Sequence, residues 1–179
     1  MTDGDTPAKA DNLVQAVGKE PTVLLVEDDD NVRELLAAVL RASGYDVIEL
    51  GDGIEALNYL AASSVYHDAL PRPDLIISDI QMPTFTGLDL LAGMRESRPR
   101  PPIILFTGHN DPELHAEAYR LGADRVLRKP LSPEVLVQVV REVLVARAHE
   151  FSASQDSEEP ALMIAFEAAN LPPAGNPNT

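Results

Sequence analysis

Five short runs along the chain read as strands, and the segments between them read as helices. Thr22–Val26 (TVLLV), 75–78 (LIIS) and Ile103–Thr107 (IILFT) are almost continuously apolar, the pattern of strands covered on both faces. Residues 45–50 and Arg125–Arg128 read as two further, more mixed strands. Over 31–42, Val32, Leu35, Leu36, Val39 and Leu40 recur at helical spacing. A second helix is predicted over 54–62, with Ile54, Leu57 and Leu60 toward the core. Further helices are predicted over 87–97, entered through Gly87, and over 111–121. In the last helix Val135, Leu136, Val139, Val140, Val143 and Leu144 form one stripe. Punctuation agrees: Gly44 and Gly122 stand where helices end, and Ser132 can cap the last helix with Pro133 at its first position. Residues 63–73 (SSVYHDALPRP) form a connection long enough to be a small insertion.

Five strand–helix units in a row predict an α/β fold: a doubly wound parallel sheet with right-handed crossovers and helices on both faces. Such sheets bind ligands beyond the carboxyl ends of their strands. Glu27, Asp28, Asp29 and Asp30 follow the first strand and Asp79 the third. Thr107-Gly108 stand at the end of the fourth and Lys129-Pro130 after the fifth. Clustered carboxylates repel unless a cation neutralises them, and an all-oxygen donor set suits Mg²⁺. Carboxylates, a hydroxyl and an ammonium on one edge make a site fit to receive a phosphoryl group. Each residue also has a plainer reading. Asp79 and Lys129 could be solvated surface groups, and Asp29 and Asp30 suit a helix start, where acids favour the dipole. The register to Arg33 selects Glu27 and Asp28 for the site.

Composition narrows the class. The chain has 179 residues, 29 acidic against 14 basic, a formal net charge of −15 and no cysteine. A disulfide framework, thiolate catalysis and Cys-ligated metals are thereby excluded. No apolar run is long enough for a transmembrane helix, and the polar start is no signal peptide, so a cytoplasmic protein is expected. The acidic balance speaks against nucleic acid as a partner. The charge is uneven: 150–179 carries Glu150, Asp156, Glu158, Glu159 and Glu167 with no Lys or Arg. The expected organisation is a polar N-terminal tail (1–20), a folded domain (21–149) and an acidic, Pro-containing C-terminal tail (150–179) without an effector domain. Within that tail 161–166 (ALMIAF) could form a short docked helix or stay weakly ordered.

The segments VLLVEDDDNVREL, DLIISDIQMPTFTGLDLL, IILFTGH and GADRVLRKPLSPEVL, in this order and spacing, resemble the receiver domain of bacterial two-component response regulators. The resemblance covers about residues 22–147. It implies the flavodoxin-like (CheY-like) sheet order 2-1-3-4-5 with five helices. It implies Asp79 as phosphoacceptor. It further implies Mg²⁺ (or Mn²⁺) held by Asp28, Asp79 and the Gln81 carbonyl, and by Glu27 through water. Thr107 and Lys129 would bind phosphoryl oxygens, Gly108 would leave them room, and the bond before Pro130 would be cis. The implied donor is a sensor histidine kinase or histidine phosphotransfer protein. Output would pass to a downstream protein, with a homodimer through the helix 4–strand 5–helix 5 face among the options.

Two positions depart from the family pattern. The aromatic often found three residues before the Lys is here Val126, which puts the usual output coupling in question. The first acid is Glu27 where Asp is common. His109, two residues after Thr107, either tunes dephosphorylation together with Gln81 or is a rim residue. His67, His115 and His149 read as plain surface residues. The leading expectation is a single-domain response regulator that catalyses its own phosphorylation and has no external turnover. The alternative is a phosphorylation-independent, receiver-like scaffold. An aspartyl phosphatase is disfavoured by Gln81, where such enzymes carry a second Asp. A flavin-binding protein is disfavoured by the lack of a phosphate loop after the first strand.

Overall fold

The computed structural model describes residues 19–66, 69–95, 100–108 and 111–156, with the backbone alone over 151–156. Five strands, β1 (Thr22–Val26), β2 (Asp46–Leu50), β3 (Leu75–Asp79), β4 (Ile103–Thr107) and β5 (Arg125–Arg128), form one parallel sheet in the order β2-β1-β3-β4-β5. The helices between them are α1 (Asp30–Ala42), α2 (Gly53–Val65), α3 (Gly87–Gly93), α4 (Pro112–Leu121) and α5 (Pro133–Asp156). Every residue of β1, β3 and β4 is buried, which is why these strands read as apolar runs rather than as alternating ones. Side chains leave a strand on opposite faces in turn. Val23, Leu25, Ile77, Ile104 and Phe106 pack with Leu36 and Leu40 of α1 and Leu136 and Val140 of α5. Leu24, Val26, Ile76, Ile103 and Leu105 pack with Ala56 of α2, Leu90 and Leu91 of α3 and Ala118 of α4. The chain divides into two units, Met1–Val145 and Ala146–Thr179. Of the second, the described part is the helical stretch to Asp156, where Arg147 lies 2.9 Å from Glu150.

Local chemistry sets the helix ends. Asp29 caps α1, accepting hydrogen bonds from the backbone N–H of Asn31 and Val32. Thr86 and Asp89 form a capping box at α3, and Gly122 closes α4 at φ 101°.

Several expectations are corrected. Leu35 (63% exposed), Ile54 (45%) and Val135 (46%) face outward. On α1 the buried arc is centred on Leu36, Ala37 and Leu40, and Leu35 points about 140° away from its middle at 100° per residue. On α2 Leu57 and Leu60 pack half-buried against the core as expected, while the fully buried positions are the small residues Gly53, Ala56 and Ser63. There the helix approaches Phe85 so closely that a Cβ on Gly53 would lie 2.7 Å from the Phe85 carbonyl oxygen. Helix α3 is shorter than 87–97: it ends at Gly93, closed by the Met94 N–H on the Leu90 carbonyl. β2 starts at Asp46. Helix α2 runs on to Val65, so the connection begins at 66, and Tyr59 and Arg72 tie it back by donating to the carbonyls of Pro71 and of Ser63 and Ser64. His115 is half-buried rather than a plain surface residue, with its Nε2 shielded from solvent and without a hydrogen-bond partner.

Thr84, between β3 and α3, sits at φ 68°, a left-handed conformation that a β-branched residue adopts only under strain. Thr84→Gly is therefore expected to stabilise the domain by about 1 kcal/mol, after discounting the entropy of glycine in the unfolded chain. The check is a denaturant midpoint that rises with the slope unchanged.

Candidate functional site

The ladder of β1 ends at Val26, paired with Leu50 on one side and Ser78 on the other. Glu27 continues for one residue, its N–H donating to the Leu50 carbonyl at 3.2 Å. The chain then turns into α1, so Glu27 is buried (1% exposed) while Asp28 is exposed. Asp79 is the last residue of β3 and is itself buried; its backbone pairs with Phe106 of β4. One step beyond β5, the Lys129 N–H donates to the Thr107 carbonyl at 2.8 Å, and the Lys129–Pro130 bond is cis. The fold thus brings Glu27, Asp28, Asp79, Thr107 and Lys129 to one sheet edge.

The contacts among them are direct. Lys129 Nζ donates to Asp79 Oδ2 at 2.6 Å and to Glu27 Oε2 at 2.9 Å. It also lies 4.8 Å from the centre of the Phe106 ring, a cation–π contact. Asp79 Oδ1 accepts from the Gln81 N–H at 2.9 Å, and Glu27 Oε1 from the Asp29 N–H at 3.3 Å. One oxygen each of Glu27, Asp28 and Asp79 lie within 4.8 Å of one another. Thr107 is fully buried at the end of β4, and a Cβ on the exposed Gly108 would meet nothing within 4 Å. Val126 is half-buried on β5, and its N–H donates to Tyr119 Oη at 3.3 Å. His109 lies outside the described residues, as do His67 and the 161–166 segment.

Burial pushes the Glu27 carboxyl above its ordinary value, more than its bond to Lys129 pulls it down, and the Asp79 charge adds to the rise. Burial alone would depress the Lys129 ammonium, but its bonds to Asp79 and Glu27 and their charges outweigh that and hold it above its ordinary value. Two Asp29 oxygen bonds from helix N–H groups hold that carboxyl low. For Glu27, a native value above 4.5 means that the folded state binds the proton more tightly than the unfolded chain. Its contribution then falls as pH rises from 4.5 through the raised native value. Glu27→Gln is expected to remove that decline, so variant and parent converge at acid pH and the variant is the more stable at neutral pH. Denaturant melts in chelator from pH 4 to 8 read this directly. Lys129 has the same sign in a higher window, its contribution present below 10.5 and lost as pH passes its raised native value.

Three carboxylates against one ammonium leave an excess of two negative charges on a cluster of hard oxygen donors. That donor set fits a small divalent cation.

Residues 23–141 match the family model of the response regulator receiver domain. The chain belongs to this family. The receiver is 31% identical over 144 residues to the DNA-binding response regulator MtrA of Mycobacterium tuberculosis, a match covering 80% of this chain and 55% of that protein. It is 30% identical over 130 residues to the probable transcriptional regulatory protein TcrX of the same species, covering 73% and 52%. The chain thus spans about half the length of these relatives. Among solved structures, the receiver resembles the chemotaxis protein CheY4 of Vibrio cholerae at 32% identity and TM-score 0.60, covering 69% of this chain and 98% of that one. It resembles a CheY-like receiver domain protein of Methanospirillum hungatei at 25% identity and TM-score 0.65, covering 74% and 99%. No helix among the described residues is long and apolar enough to cross a membrane.

Three contributors to the receiver's site escape a reading of strand ends. Phe106 lies under Lys129, Gly87 meets the backbone of Asp79, and Arg33 holds the carbonyl of Glu27. The alternation of β4 places Phe106 two residues before Gly108 on an otherwise aliphatic strand, which is a usable signal. Arg33 had already entered as a register mark, without a partner.

Proposed function

We propose that Asp79 is the phosphoacceptor of this receiver and that the donor is a phosphohistidine on a sensor kinase or phosphotransfer protein. The observation that carries this reading is Lys129 Nζ seated between Asp79 Oδ2 and Glu27 Oε2, residues 50 and 102 positions away in the chain. An ammonium already bound to the nucleophilic carboxylate is placed to neutralise an incoming phosphoryl oxygen. Asp79 Oδ forms the new P–O bond as the P–N bond breaks. The imidazole nitrogen keeps the bonding pair, and the ring, protonated at its other nitrogen, departs neutral. Transfer through a loose transition state depends mainly on alignment and charge neutralisation. Lys129 and the Thr107 hydroxyl supply donors to the phosphoryl oxygens, and the open space at Gly108 admits them. Mg²⁺ (or Mn²⁺), held by Asp28, Asp79 and the Gln81 carbonyl, and by Glu27 through water, would supply the remaining positive charge.

The product is an acyl phosphate formed once per protein, so the receiver is a switch rather than an enzyme with external turnover. Its state is read by protein–protein contact, not through nucleic acid. The second reading, a scaffold that works without phosphate, draws on Val126, since an aliphatic residue there offers no ring to couple to Thr107. Incubation with acetyl phosphate and Mg²⁺ separates the two. Phosphotransfer gives an adduct of about 80 Da, one phosphoryl group, which is lost when chelator replaces Mg²⁺. A folded protein that never takes up the adduct supports the scaffold.

A further inference from the structure

We infer that Arg33 is a positioning residue for the acidic site, setting its affinity for a divalent cation. The inference rests on the phosphoacceptor reading for its consequence, and on the geometry of α1 for its cause. Glu27 stands one residue beyond the end of the β1 ladder and is buried, so its carbonyl has lost the sheet as a partner and cannot reach water. Arg33, one turn into α1, supplies the partner: its Nη1 donates to the Glu27 carbonyl at 2.7 Å. The same guanidinium donates through Nη2 to Asp30 Oδ1 at 2.5 Å, and its Nε lies 3.9 Å from Glu49 Oε2 on β2. Arg41 holds the other Glu49 oxygen at 2.7 Å. The planar fork thus spans the end of β1, the first turn of α1 and the edge strand, and its side chain is 18% exposed.

The peptide pinned in this way is the one that joins Glu27 to Asp28. Glu27 is held from both sides, its N–H by Leu50 and its carbonyl by Arg33. This fixes which way the two consecutive carboxylates leave the chain: Glu27 inward to Lys129, Asp28 to the exposed side of the same cluster. Arg33 also engages Asp30, a carboxylate that would otherwise add negative charge beside the cluster, and shares Glu49 with Arg41. A lysine offers one point charge in place of the fork and cannot make these contacts together.

Position and charge predict opposite results. If Arg33 acts by position, Arg33→Lys and Arg33→Met both weaken cation binding by about tenfold, the usual scale for a group that orients metal ligands. If it acts only as a nearby positive charge, Arg33→Lys is silent and Arg33→Met binds more tightly. The test titrates the full chain with Mn²⁺ and counts free ion by electron paramagnetic resonance, alongside amide exchange of the 27–30 segment. The expected result is a tenfold weaker Kd and faster exchange in both variants. Phosphorylation by acetyl phosphate should reach the parental rate once Mg²⁺ is saturating, a recovery that general misfolding would not allow. Parental affinity and exchange in both variants, or tighter binding in Arg33→Met, would overturn the inference. A parent that binds no Mn²⁺ would overturn the metal part of the proposed function. Exchange in the 27–30 segment would then still decide whether Arg33 positions it.

Discussion

Asp79→Asn gives a folded protein whose phosphorylation by acetyl phosphate falls by on the order of 10³-fold or more, because a carboxamide oxygen carries no charge to donate to phosphorus. The substitution is nearly isosteric: the one carbonyl oxygen can keep the Gln81 N–H bond that Asp79 Oδ1 accepts, while the NH2 that replaces Oδ2 gives up the bond from the Lys129 ammonium. Lys129 still keeps Glu27. Removing the Asp79 charge takes away one of the influences that raise the Glu27 carboxyl. The lost Lys129 bond and the relieved carboxylate repulsion oppose each other, so the unfolding midpoint in chelator should stay close to the parent's. Intact mass after acetyl phosphate treatment and a urea melt together check this. A persistent adduct on folded Asp79→Asn would place the acceptor elsewhere.

Gly87→Ala is expected to be the most damaging small substitution in the domain. A Cβ at 87 would lie 2.3 Å from the Asp79 carbonyl oxygen, 3.0 Å from its carbon and 3.1 Å from Ser78 Oγ. Backbone cannot swing away as a flexible side chain would. The Gly87 N–H is already committed to the Ile80 carbonyl, and the preceding residue is locked in the Thr86–Asp89 capping box. The loss should be about 3 kcal/mol or more, in the range of overpacked buried sites, with a melting point lower by about 10 °C. The atom displaced is the backbone of Asp79, so phosphorylation should fall even at temperatures where the variant stays folded. Gly108→Ala is the internal comparison: its Cβ meets nothing within 4 Å, so stability should stay within about 0.5 kcal/mol. Thermal melts of both variants decide the matter, and equal stability of the two would contradict the close-approach argument.

The succession of strands and helices and the edge that carries the chemistry were legible because both follow from patterns along the chain, whereas the sheet order came with the family resemblance. Buried parallel strands read as apolar runs, and Asp79, Thr107 and Lys129 stand at or just beyond their carboxyl ends. Contacts set by close approach in three dimensions were less legible. Ile54 looked like a core residue because it is large and apolar, yet the face of α2 that meets Phe85 is built from Gly53 and Ala56. Gly87 looked like a helix entry, and only the fold shows that it faces the backbone of Asp79. Arg33 could be seen in register with the acidic run, but its partner, the carbonyl of Glu27, has no signature in the sequence. The cation beside the acids shows the same limit: Lys129 was placed at the edge from sequence, whereas its seat between Glu27 and Asp79 over Phe106 required the fold.

The most direct test of phosphorylation at Asp79 is chemical trapping of the product. Protein treated with acetyl phosphate and Mg²⁺ is reduced with borohydride, which converts an aspartyl phosphate to homoserine, and then digested for peptide mass spectrometry. The account predicts homoserine at position 79 in the parent, none at 28 or in the chelator control, and none anywhere in Asp79→Asn. Homoserine at another aspartate, with position 79 unchanged, would contradict it.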